Sequence, residues 1–146
     1  MRLILIFFFF TTGIWAQNDD ARITEVDFRG KYQSDEYTVN ITISSPDTGC
    51  NQYADWWEVV TTEGKLIYRR ILAHSHVTEQ PFTRGASGVE LKRDQEVYIR
   101  VHMNNTGYSN LGYSGSIANT FTASEIPENF ALDLAKVKPL PKGCAF

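Results

Sequence analysis

Between Tyr37 and Ser44 the chain changes character at every residue: Tyr37, Val39, Ile41 and Ile43 are apolar or aromatic, while Thr38, Asn40, Thr42 and Ser44 are polar. Successive side chains of a strand point to opposite faces of a sheet, so this alternation specifies a strand with one buried face. It excludes an amphipathic helix, whose apolar positions recur every third or fourth residue. The same period returns from Glu96 to Asn104, with Val97, Ile99, Val101 and Met103 on the inner parity and Tyr98, Arg100 and His102 on the outer.

The rest of the chain is punctuated in the same way. Ser45-Pro46-Asp47-Thr48-Gly49 carries turn chemistry. Trp56 to Thr62 and Lys65 to Leu72 are β-rich runs joined by Glu63-Gly64, the signature of a hairpin. Weaker strand patterns lie at Ile23 to Arg29, Gly88 to Leu91 and Ser116 to Thr122. Seven strands separated by turns predict an all-β sandwich. Within the first hairpin strand, Trp57, Val59 and Thr61 share one parity and Trp56, Glu58 and Val60 the other. A water-facing Glu58 then puts Trp57 in the core and leaves Trp56 more exposed. Pro127 to Val137 fits either a helical stripe or a strand and reads as a short helix or irregular tail, closed by Lys138-Pro139-Leu140-Pro141.

The run Leu91 to Val101, followed by Asn104-Asn105-Thr106-Gly107-Tyr108-Ser109, resembles the later strands of a fibronectin type III domain. Trp56 and Trp57 sit on the presumed third strand, where immunoglobulin domains keep a core tryptophan. The resemblance implies a seven-stranded fibronectin type III- or immunoglobulin-like sandwich. Asp55 to Arg84 is also similar to a block found in uncharacterised secreted bacterial proteins, which implies export.

The first 16 residues support that expectation. Arg2, the apolar block Leu3 to Phe10 and Ala16 before Gln17-Asn18-Asp19-Asp20 have the form of a secretory signal peptide cleaved after Ala16. The apolar block is shorter than the roughly 20 residues that span a bilayer, and no cysteine near the cut offers a lipid anchor. The expected organisation is a signal peptide over 1–16, a sandwich over 17–124 and a tail over 125–146. A chain of 146 residues with a net charge of −3 suits one domain, and losing Arg2 with the signal makes the charge about −4. Nucleic acid and anionic membrane both need a clustered positive field, which the isolated pairs Arg69-Arg70 and Lys92-Arg93 do not supply. In an oxidising compartment Cys50 and Cys144 are expected to pair and tie the tail back.

Two stretches are candidates for function. Asn104 to Ser116 is rich in tyrosine, serine, glycine and asparagine, the mixture that binding loops use, and it nominates Asn105, Tyr108, Asn110 and Tyr113 to meet a protein or carbohydrate surface. His74-Ser75-His76 is the second, because two imidazoles on one strand face can hold zinc, copper or iron. A third ligand is required, and Glu79 follows His76 by an odd step that sends it to the opposite face of an unbroken strand. The segment therefore reads first as exposed histidines at a strand end beside Pro81, with His74 and His76 as metal ligands the alternative. Asp55, Glu58 and Glu63 read as carboxylates on an exposed face. No nucleophile, base and orienting group share a pattern, so the sequence leans away from an enzyme and calls for no cofactor.

Overall fold

The computed structural model describes residues 20–30 and 33–145, so the expected signal segment lies outside the described residues. The chain forms β1 (Arg22–Gly30), β2 (Glu36–Ser44), β3 (Ala54–Thr61), β4 (Leu66–Ile71), β5 (Phe82–Glu90), β6 (Val97–Met103), β7 (Gly107–Tyr108), β8 (Leu111–Ser116) and β9 (Thr120–Glu125), then a 3-10 turn over Leu132–Lys136. Two sheets result, β1-β2-β5 and β4-β3-β6-β8-β9, with β7 also paired to β6, and every pairing is antiparallel. The all-β expectation holds. The alternating residues Val39, Ile41 and Ile43 join Trp57, Val59, Val97, Ile99 and Val101 in one core.

The stretch from Asn104 onward differs from expectation. It is not one long loop, because β7 and β8 occupy most of it, and Ser116 to Thr122 spans the turn between β8 and β9. Gly112 and Gly115 mark close backbone approach within strands. A side chain at Gly112 would meet the Ile99 carbonyl and the Ile126 side chain, and one at Gly115 would meet the Thr120 carbonyl.

The outer face of the larger sheet also differs from expectation. Trp57 is buried as expected, but Trp56 is only 3% exposed and Glu58 is fully buried. Asp55, Arg100 and His102 are buried too. The parity was right, since Glu58 lies opposite Arg69 on β4 and Arg100 on β6, and Trp56 opposite His102. That face is not open to water, because the tail lies across it. Arg69 Nε donates to Glu58 Oε2 at 2.7 Å and Arg100 Nε to Glu58 Oε1 at 2.8 Å. Other guanidinium donors reach the tail's carbonyls: Arg69 bonds Leu134, Val137 and Pro139, and also the Tyr108 hydroxyl, and Arg100 bonds Phe130 and Ala131. A buried carboxylate between two guanidiniums is tolerable only when the spare donors are also satisfied, and the tail backbone supplies that. Rings fill the gaps. The His102 ring stacks on Trp56 at 3.6 Å between centroids, Arg69 lies 4.5 Å over Trp56, and Arg100 lies 3.5 Å over Tyr108.

Candidate functional site

One end of the sandwich gathers the loop between β2 and β3, the loop between β4 and β5, and the turn between β6 and β7. The pairings show why: Ser44 lies opposite Arg22, Phe82 opposite Ile43, and Ala54 opposite Met103, so these strand ends coincide. The loops are fastened to one another. Cys50 and Cys144 form a disulfide with Cα atoms 5.6 Å apart, as expected from the sequence. Asn104 accepts the Tyr53 backbone N–H through Oδ1 at 2.9 Å and donates through Nδ2 to the Cys50 carbonyl at 3.0 Å. Gln80 Nε2 donates to the Ser45 hydroxyl, and its Oε1 accepts the Ser45 N–H.

Asp47 is the hub. Its carboxylate is buried and accepts bonds from the Ser45 hydroxyl at 2.7 Å, the Ala54 N–H at 3.0 Å and the His76 N–H at 2.8 Å. A short loop carboxylate that ties its own loop to the start of β3 and to the β4–β5 loop gives this end a fixed shape.

Two adjoining clefts open here and share Asp20, Met103 and Thr106. One, of about 490 Å³, is lined by Asp47, Gln52 and Asn105 among others. The other, of about 230 Å³, is lined by Tyr108, Asn110 and Glu128 among others. Three of the four residues nominated by composition therefore flank these clefts. Asn105 is exposed and its Nδ2 donates to Gln52 Oε1 at 3.2 Å. Tyr108 is half-buried, and burial first, then the Glu58 charge, pushes its hydroxyl up to about 12. The Asn110 carbonyl accepts the Ile126 N–H, and its residue is exposed. Tyr113 stands apart: it packs against the core and its hydroxyl donates to the Thr24 carbonyl at 3.0 Å.

The His-x-His segment is not the strand end assumed from the sequence. β4 stops at Ile71, and the chain then turns, with the Glu79 N–H donating to the His76 carbonyl at 3.2 Å. The turn brings Glu79 back, so one ligand atom each from His74, His76 and Glu79 lies within 4.8 Å of the others. Glu79 would face away from the histidines only in an unbroken strand, and the strand ends before His74. Nor is His76 exposed. Its ring is buried, stacked on Phe82 at 3.7 Å between centroids, and neither ring nitrogen has a hydrogen-bond partner among the described residues. Burial first, then the Arg84 and His74 charges, holds its pKa below the ordinary histidine value. His102 belongs elsewhere, bonded through Nδ1 to Asp55 Oδ1 at 2.7 Å.

The pairing of His76 with Asp47 and the return of Glu79 were not readable from spacing. Turn chemistry at Pro81 and the short Val77-Thr78 step were the signals available.

No family model matches the chain, and no solved structure gives a significant match. It is 38% identical over 69 residues to a protein of Halomicrobium mukohataei described as "Putative lipoprotein". The match takes in 47% of this chain and 34% of that protein, so the chain spans about a third of the length of the curated relative it matches.

Proposed function

We propose that this chain is an extracytoplasmic binding or accessory module, secreted or periplasmic, which engages a protein surface through its loop end. The observation that carries the reading is the fastening of three loops and the C-terminal segment into one surface by the disulfide and by Asp47, Asn104 and Gln80. Loops fixed before an encounter lose little conformational entropy on binding, so their contacts contribute more fully to affinity. The clefts are bordered by hydrogen-bonding groups of both kinds, Asp20, Gln52, Asn105 and Asn110. Sugars are gripped largely by flat open rings. Here the rings of Tyr108 and Trp56 are covered by Arg100 and by Arg69 with His102, which favours a protein partner over a carbohydrate.

Several observations support the compartment. A disulfide persists where the medium oxidises, the relative's printed name is that of a lipoprotein, and residues 1–16 read as an export signal. Among the described residues no helix is long and apolar enough to cross a membrane. The strand order also fits the fibronectin type III- or immunoglobulin-like resemblance. β1, β2 and β5 correspond to strands A, B and E, while β4 pairs with β3 rather than lying beside β5 as strand D does in constant immunoglobulin domains.

The test places a photo-cross-linking residue at position 105, and as a control at position 119 in the β8–β9 turn at the opposite end, and exposes each to extracytoplasmic proteins of the source. Discrete, protease-sensitive adducts from position 105 that unlabelled protein competes away are expected. Equal adducts from both positions, or none from 105, would reject the reading. Adducts lost on glycosidase treatment but not on proteolysis would replace the protein partner with a carbohydrate.

A further inference from the structure

We propose that His74, His76 and Glu79 form a binding site for a first-row divalent metal ion of the zinc and copper class. Two imidazoles and a carboxylate are the donor set that such borderline ions take, and hard ions such as calcium or magnesium do not. Proximity alone would not carry this, since exposed acidic and histidine side chains often lie together. The independent observation is His76. Its side chain is 1% exposed, yet among the described residues neither ring nitrogen has a hydrogen-bond partner. A neutral imidazole always has one donor and one acceptor, and leaving both unpaired in a protein interior is costly and uncommon. A metal ion would satisfy one of them.

The surroundings arrange the other. Nδ1 of His76 lies 3.8 Å from Asp47 Oδ2, and Asp47 already holds the His76 backbone N–H at 2.8 Å. Metal-bound imidazoles commonly direct their second nitrogen to a carboxylate, which fixes the tautomer and ring orientation. Stacking on Phe82 and the turn closed by the Glu79 N–H and by Gln80 Nε2, which donates to the His76 carbonyl at 3.0 Å, hold the His76 backbone and ring in place. His74 is held at its backbone, where it forms a parallel bridge with Ala145, next to the disulfide-linked Cys144.

The distances leave a definite closing motion. Ligand atoms around a tetrahedral zinc ion with bonds of about 2.0 to 2.1 Å stand about 3.4 Å apart, and the widest separation here is within 4.8 Å. His74 and Glu79 are both exposed and can rotate inward on a fixed His76. Arg84 competes for the same carboxylate, since its Nη2 donates to Glu79 Oε2 at 2.8 Å. That exposed ion pair is a weak competitor in water. Three protein ligands would leave one position of a four-coordinate ion open.

Protein prepared without a histidine tag and stripped with a chelator is titrated calorimetrically with zinc and with copper(II), alongside His74→Ala, Glu79→Gln and Arg84→Ala. The three replaced side chains lie largely outside the core, and melting curves confirm that the variants fold. We expect one equivalent bound, affinity lowered at least about tenfold by His74→Ala and by Glu79→Gln, and raised about two- to fivefold by Arg84→Ala. Heats that are the same in wild type and in both ligand variants, or no binding of either ion at tens of micromolar, would overturn the site. The result is independent of the cross-linking experiment, because a metal site can exist without the proposed partner and the partner without the metal.

Discussion

Two regions of this molecule bury ionisable groups, and they treat them in opposite ways. Under the tail, Glu58 sits between Arg69 and Arg100, which also donate to five tail carbonyls and, from Arg69, to the Tyr108 hydroxyl. At the loop end, His76 is buried against Phe82 with both nitrogens unpaired among the described residues, while the Asp47 beside it accepts two backbone N–H groups and the Ser45 hydroxyl. A satisfied network fixes structure, since its members have nothing left to offer a ligand. An unsatisfied group beside a satisfied one is where a ligand can be received. The contrast separates the clamp from the candidate site, although both looked alike in the sequence as polar residues on β-rich segments.

Breaking the clamp should have the largest effect. Glu58→Ala strands two buried guanidiniums, and removing one partner of a buried ionic network costs about 3–5 kcal/mol. Urea unfolding of the purified variant measures this. A loss below about 1 kcal/mol would show that the tail and solvent can absorb the stranded charges, and the clamp would then be no more structural than the loop end.

The disulfide joins the two regions, so its removal tests both. Cys50→Ser with Cys144→Ser releases a link across 94 residues, and about 2–4 kcal/mol should be lost. If the link holds the tail over the sheet, tryptophan fluorescence should also become more accessible to acrylamide under native conditions, because Trp56 lies beneath that layer. A stability loss with quenching unchanged would show that the arginine bonds keep the tail in place unaided.

The strands that build the core were legible because alternation is a local signal with one solution. Tyr37, Val39, Ile41, Ile43, Val97, Ile99 and Val101 all take the inner parity expected of them. Exposure on the other parity was not legible, because whether a face meets water depends on what the distant tail does. The charges Glu58, Arg69 and Arg100 are three residues on three strands whose adjacency follows only from pairing register. The candidate metal group failed to declare itself for a related reason. Spacing fixes side-chain direction only where the backbone repeats, and β4 ends before His74. Asp47 read as turn chemistry and lies in the loop just before the Gly49 to Gln52 turn, but its bond to His76 spans 29 residues and leaves no local trace.

The contrast predicts opposite tolerances to apolar replacement. His76→Phe keeps a ring against Phe82 and removes two unpaired nitrogens, so stability of the metal-free protein should change by no more than about 1 kcal/mol. Chemical denaturation in the presence of a chelator checks this. A loss as large as that of Glu58→Ala would mean that the His76 nitrogens make bonds of structural value, and the distinction between the regions would collapse.

The smallest effect is a pH dependence, and its sign follows from burial. Desolvation first, with Arg84 and His74 adding to it, lowers the His76 pKa in the folded protein, while Asp47 and Glu79 oppose that shift. The unfolded chain therefore binds this proton more readily than the folded one. The stability tied to a neutral His76 is complete above the unfolded value of about 6.5 and is lost as pH falls from there through the lower folded value. Denaturation midpoints of metal-free wild type and His76→Phe, measured from about pH 7.5 down to about pH 5, isolate the contribution, because the remaining titrating groups are common to both proteins. Wild type should lose more stability than the variant over that interval. Superimposable profiles would show that the ring takes up a proton as easily folded as unfolded, with Asp47 at 3.8 Å as its acceptor; His76 would then belong with Glu58 among the satisfied groups.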